Sequence, residues 1–93
     1  MSKINLTITG CMGRMGQQLI RSANKDNSVK IVSLTEGSLV NKKIGSIKPE
    51  LNTEKAFNKS NIIIDFTVPK CTFEVLKIAS KLKKKVVIGT TGF

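Results

Sequence analysis

A chain of 93 residues, 40 % of them hydrophobic and gathered in dense runs, has room for one small folded domain and is not disordered. No apolar run approaches the ~20 residues that span a bilayer, and Met1-Ser2-Lys3 leads into strand-like sequence without a signal-peptide profile, so a cytoplasmic protein with no membrane partner is expected. Sixteen Lys and Arg against six Asp and Glu give a net charge of +10, but the lysines are scattered and the four aromatic residues are all Phe, which argues against a nucleic-acid partner.

Taken in chain order, the pattern alternates strand and helix. Ile4 to Thr9 alternates apolar and polar residues and is rich in β-branched types, so it reads as a strand that stops at Gly10. Met15, Leu19, Ile20 and Ala23 recur at helical spacing and predict a helix from about Gly13 to Ala23. Asn24 to Ser28 is turn-like, and Val29 to Thr35 is a second strand. Glu36 to Pro49 has two glycines and no period, and is read as a loop. Leu51 belongs to a short third strand, and Thr53 to Lys59 to a short helix. The run Ile62-Ile63-Ile64-Asp65-Phe66 hardly alternates, as expected for a parallel strand covered on both faces. Pro69 suits the first turn of a helix, whose buried stripe is Val75, Ile78, Ala79 and Leu82. The densest basic cluster, Lys81, Lys83, Lys84 and Lys85, falls at that helix's end, where cations complement its dipole. Val86-Val87-Ile88 is a last buried strand at an uncovered sheet edge, closing in Gly89-Thr90-Thr91-Gly92-Phe93. Such alternation implies a Rossmann-type α/β fold, a doubly wound parallel sheet in incomplete form, whose ligands sit at the carboxyl ends of the strands.

Four candidate motifs fall at those ends. Gly10-Cys11-Met12-Gly13-Arg14-Met15-Gly16 lies between a strand and a helix. A dinucleotide's diphosphate needs close backbone approach and bare N–H groups. Gly10 permits the turn, Gly13 removes an obstructing side chain, and Gly16 lets the helix pack closely. Arg14 adds a full positive charge. The spacing G-x-x-G-x-x-G departs from the commoner G-x-G-x-x-G, and three close glycines are also compatible with a plain tight turn. Glu36, just past the second strand, can accept hydrogen bonds from adenosine ribose hydroxyls; the alternative is a surface acid. Gly37 stands where a basic residue would favour NADP, while Arg14, Lys42 and Lys43 offer other cations, so NADH and NADPH both remain open. Asp65-Phe66-Thr67 and Gly89-Thr90-Thr91 close two buried strands and can line a nicotinamide pocket. Asp65 reads as an acid–base group or, more simply, as a cap for nearby amides. Cys11 lies where a helix dipole can lower a thiol's pKa, or is merely a small residue tolerated in the loop. Cys11 and Cys71 lack partners at metal-ligand spacing and there is no histidine, so no metal site and two unpaired thiols are expected.

Gly-x-x-Gly-Arg-Met-Gly, Ile-Asp-Phe-Thr with its nearby proline, and Val-Ile-Gly-Thr-Thr-Gly-Phe together resemble the 4-hydroxy-tetrahydrodipicolinate reductase (dihydrodipicolinate reductase) family, over the whole chain. That resemblance implies that Gly10, Cys11, Met12, Gly13, Arg14 and Met15 clasp the cofactor's diphosphate and that Glu36 meets the adenosine ribose. It puts Phe66 and Thr67 beside the nicotinamide, with Gly89, Thr90 and Thr91 at its end. The family reduces a cyclic dicarboxylate by hydride transfer from NADH or NADPH, on the route to diaminopimelate and lysine. Its members often have a basic residue after the ribose-binding acid, which Gly37 does not match. They continue into a domain for substrate binding and tetramer formation, with a His-His-x-x-Lys segment. Residues 1–93 therefore correspond to part of the nucleotide-binding domain, with no catalytic residue, and are expected to be inactive alone. A non-catalytic NAD(P)-binding module or partner subunit is the alternative.

Overall fold

The computed structural model describes residues 3–66 and 69–89. Five strands form one sheet: β1 (Ile4–Thr9), β2 (Val29–Glu36), β3 (Glu50–Leu51), β4 (Ile62–Asp65) and β5 (Lys85–Ile88). They are joined by α1 (Arg14–Asn24), α2 (Glu54–Phe57) and α3 (Pro69–Leu82). Every strand pair is parallel, and the order is β3-β2-β1-β4-β5. This is the Rossmann-type arrangement that the alternation predicts, with the chain reversing direction across the sheet beside β1.

Successive side chains of a strand point to opposite faces, so the cross-strand register sorts the core. Ile8 stands beside Leu34 on one face, where both pack with Cys11 and Ile20 of the α1 layer. Ile44 and Ile47 join that cluster from the long loop, which is irregular except for an isolated antiparallel bridge between them. On the other face Ile63 packs with Ala56 and Phe57 of α2 and with Val75 and Ala79 of α3. Phe57, Ile63 and Val75 are fully buried, each contributing roughly 1.5–3 kcal/mol of transfer free energy. α2 is short but well started: the Thr53 hydroxyl accepts from the Ala56 N–H at 3.2 Å.

The last two strands differ from expectation. Ile63 is buried, but Ile62 and Ile64 are half-buried, so β4 is fully covered on its α2/α3 face alone. β5 is an edge strand with Val87 55 % and Ile88 43 % exposed, rather than a buried one. An apolar run shows that a strand can tolerate cover on both faces; it does not show that cover is there. In α1 the buried residues are Gly16, Ile20 and Ala23. Met15, expected in the stripe, lies in the first turn of α1 and is exposed.

Candidate functional site at the carboxyl ends of the strands

β1 ends at the buried Thr9, and Gly10 turns the chain with φ 68°, a left-handed conformation that L side chains rarely adopt. The bend then folds back on the protein. The N–H groups of Gly10 and Cys11 donate to the Thr35 carbonyl at 3.0 and 3.3 Å, and that of Gly13 to the Gly10 carbonyl at 3.1 Å. The Met12 N–H donates to Glu36 Oε2 at 3.0 Å. These amides were expected to be bare. Instead each has a protein acceptor, which the buried Gly10 and Cys11 require.

The open donors begin one step later. Gly13 is the N-cap of α1 and offers no side-chain cap, and Gln17 is the first residue to return its N–H, to Gly13 at 3.0 Å. Among the described residues no protein acceptor takes the N–H groups of Arg14, Met15 or Gly16. They form the positive end of the α1 dipole, with Arg14 in the first turn and no acidic residue there.

The glycines have separable reasons. A Cβ on Gly16 would lie 2.3 Å from the Gly10 carbonyl oxygen and 2.9 Å from Cys11 Cα, so Gly16 lets α1 pack against the bend. Gly13 has an ordinary extended backbone, φ −74° and ψ 168°, and a Cβ there would meet nothing nearer than 3.5 Å. Its own fold leaves room for a side chain beside the open amides, as a cradle for an incoming group would.

Glu36 closes β2 and is half-buried. Its Oε1 accepts from the Gly37 N–H at 3.2 Å while Oε2 holds Met12. Gln17 Nε2 donates to the Met12 carbonyl at 2.9 Å, so Met12 is held at both its amide and its carbonyl. Neither hold is readable from the sequence, since Glu36 and Met12 are 24 residues apart and Gln17 reads as one more exposed helix residue.

Cys11 is fully buried. Burial, followed by the nearby Glu36 carboxylate, pushes its thiol up to about 11, against a smaller lowering by a backbone hydrogen bond. The lowered thiol considered from the sequence is thus reversed, because Cys11 faces the core and not the head of the helix. Cys11 and Cys71 are both free thiols, and the described residues contain no cluster suited to a metal ion.

Asp65 is also fully buried. Its two carboxylate oxygens accept from the hydroxyls of Thr9 in β1 and Thr72 in α3, so it fastens two strands and a helix together. Phe66 donates its N–H to the Thr9 carbonyl at 3.4 Å and Gly89 donates to the Asp65 carbonyl at 2.8 Å. The Phe66 ring covers Gly89 so closely that a Cβ there would lie 1.8 Å from ring atom Cε1. Thr67, Thr90 and Thr91 lie outside the described residues.

Two clefts link these parts. One of about 390 Å³ is lined by Met12, Arg14, Met15, Gln17, Gln18 and Arg21. A second, of about 500 Å³, runs along α1 from Met15 to Phe66. The expected positions are thus connected step by step: Glu36 holds Met12, Met12 lines the first cleft with Arg14 and Met15, Met15 lines the second with Phe66, and Phe66 covers Gly89.

A family model described as dihydrodipicolinate reductase, N-terminus, matches residues 4–93. The chain belongs to that family. It is 61 % identical, over its whole length, to the 4-hydroxy-tetrahydrodipicolinate reductase of Pelagibacter ubique strain HTCC1062 and covers 36 % of that protein. It is 41 % identical over 101 aligned residues to the reductase of Buchnera aphidicola from Schizaphis graminum, covering 95 % of this chain and 36 % of the relative. The chain thus spans little more than a third of the length of these family members. Among solved structures it resembles a dipicolinate-bound dihydrodipicolinate reductase from Paenisporosarcina sp. TG-14, with TM-score 0.75 and 24 % identity, over 99 % of this chain and 39 % of that one. It also resembles aspartate semialdehyde dehydrogenase II of Vibrio cholerae, with TM-score 0.75 and 16 % identity, over 97 % of this chain and 31 % of that one. At these identities the two structures speak to the fold.

Proposed function

We propose that this chain carries the pyridine-nucleotide-binding part of an oxidoreductase that reduces 4-hydroxy-tetrahydrodipicolinate to tetrahydrodipicolinate, in the cytoplasmic synthesis of diaminopimelate and lysine. Membership of the reductase family supports the reaction class. The observation that carries the nucleotide role is the head of α1, where three consecutive N–H groups stand open beside Arg14 and beside the space that Gly13 leaves.

In this reading the amides of Arg14, Met15 and Gly16 bind the diphosphate, and Gly10, Cys11, Met12 and Gly13 form the bend that presents them. Glu36 offers its remaining lone pairs to the adenosine ribose. Phe66, Thr67, Gly89, Thr90 and Thr91 border the nicotinamide, which supplies a hydride when NADH or NADPH is bound. The group that protonates the substrate, the pocket for its two carboxylates and the contacts of a homotetramer belong to the portion of the family that residues 1–93 do not span.

Fluorescence titration of the purified chain with NADH and NADPH tests the nucleotide role. Saturable binding that weakens with salt is expected, since charge attraction to the diphosphate is screened. A folded chain that binds neither nucleotide would contradict it.

A further inference from the structure

Glu36 does more than wait for a sugar. One backbone N–H already occupies each of its carboxylate oxygens, Met12 on Oε2 at 3.0 Å and Gly37 on Oε1 at 3.2 Å. A carboxylate has about four lone-pair directions, so two remain. Met12 is the middle of the bend, and the neighbouring amides of Gly10, Cys11 and Gly13 are all held by backbone carbonyls. The Met12 amide alone among these four is held by a side chain. Gly13, the N-cap without a capping side chain, follows directly, so the placing of Met12 governs the aim of the three amides behind it. There is also a charge problem. A carboxylate near an anion site repels the anion, and its presence is better explained if it supplies something the site needs.

We infer that Glu36 is a positioning residue for the anion-binding head of α1, holding the Met12 N–H so that the amides of Arg14, Met15 and Gly16 converge on one point. The inference rests on reading that head as a diphosphate site. It separates two roles for one residue, since contact with a ribose acts on sugar-bearing ligands alone, whereas the hold on Met12 acts on any diphosphate.

The test uses inorganic pyrophosphate, which has no sugar, beside ADP, with the 93-residue chain throughout. Glu36→Gln and Glu36→Ala remove the same charge, but Gln keeps an oxygen within reach of Met12 and Ala keeps none. Pyrophosphate is expected to bind Glu36→Gln about tenfold more tightly than Glu36→Ala, the scale of one lost hydrogen bond. Amide exchange of Met12 should be slow in the parent chain and in Glu36→Gln, and at least about tenfold faster in Glu36→Ala. If Glu36→Ala does not fold, Glu36→Asp replaces it. It keeps the charge but is one carbon too short, and should bind pyrophosphate about tenfold more weakly than the parent chain. Equal pyrophosphate affinity in the compared pair overturns the inference, whatever the exchange rates, and leaves Glu36 as a sugar ligand only. Failure of the parent chain to bind either probe defeats the site reading itself and is recognised before any variant is made.

Discussion

Three glycines within seven residues do three different jobs, and substitution by alanine separates them. Gly10 needs a left-handed backbone, so Gly10→Ala should cost roughly 1–2 kcal/mol of stability. Gly16 has no room for a Cβ against backbone atoms that cannot move aside, and Gly16→Ala should cost roughly 1–3 kcal/mol. Gly13 has ordinary torsions and free space, so Gly13→Ala should melt near the parent temperature yet bind NADH at least about tenfold more weakly, through steric exclusion of the diphosphate. Thermal melts beside NADH titrations check all three; a Gly13→Ala chain that binds normally would show that its space is not used. Cys11 gives a pH signature at the same scale. Its folded thiol titrates near 11 instead of its ordinary 9.0. Between those values the unfolded chain loses the proton first and so binds fewer protons than the folded one, and stability falls as pH rises. The contribution is complete below about pH 9 and lost by about pH 11. Cys11→Ala should therefore show a shallower fall in Tm across that window, and parallel curves for the two chains would count against a raised thiol.

Between elements, the decisive fasteners are long-range and polar. Asp65 joins β4 to β1 and α3 through Thr9 and Thr72. Asp65→Ala should lower stability by about 3 kcal/mol, since two hydrogen bonds to a buried carboxylate are lost together. Chemical denaturation measures this, and a loss below about 1 kcal/mol, the scale of a single ordinary hydrogen bond, would mean that the fastener contributes little. The elements themselves were legible because their signals are local: strand alternation in Ile4–Thr9, helical spacing in α1, Pro69 opening α3. The glycine bend was legible too, since glycine marks a backbone requirement wherever it stands. Glu36 gripping Met12, the Cys11 thiol turned toward the core, and Ile64 left half-covered were not. Each depends on what lies opposite in space, 24 residues away in the first case, and periodicity carries no information about that. The bare amides of Gly10, Cys11 and Met12 fell for the same reason, because their acceptors, Thr35 and Glu36, sit on another strand, whereas that of Gly13 is taken within the bend by the Gly10 carbonyl.

For the whole molecule, a sheet with β1 at its centre gathers the carboxyl ends of its parallel strands along one edge, and among the described residues Gly10, Glu36, Phe66 and Gly89 directly follow or close β1, β2, β4 and β5 there. Residues 1–93 contain no histidine and span 36 % of the Pelagibacter relative. The purified chain should accordingly show no 4-hydroxy-tetrahydrodipicolinate-dependent oxidation of NADH or NADPH above background, followed by absorbance. Turnover that survives removal of contaminating enzyme would show that this part holds chemistry assigned here to the rest of the family. The central claim is narrower, that a diphosphate is held by the N–H groups at the head of α1 and not by those of the preceding bend. An NMR titration of the nitrogen-15-labelled chain with NADH reads those amides one by one. The largest shifts should fall on Arg14, Met15 and Gly16, with Gly10 and Cys11 changed little because Thr35 keeps their hydrogens. Large shifts on Gly10 and Cys11 with α1 unmoved would contradict it.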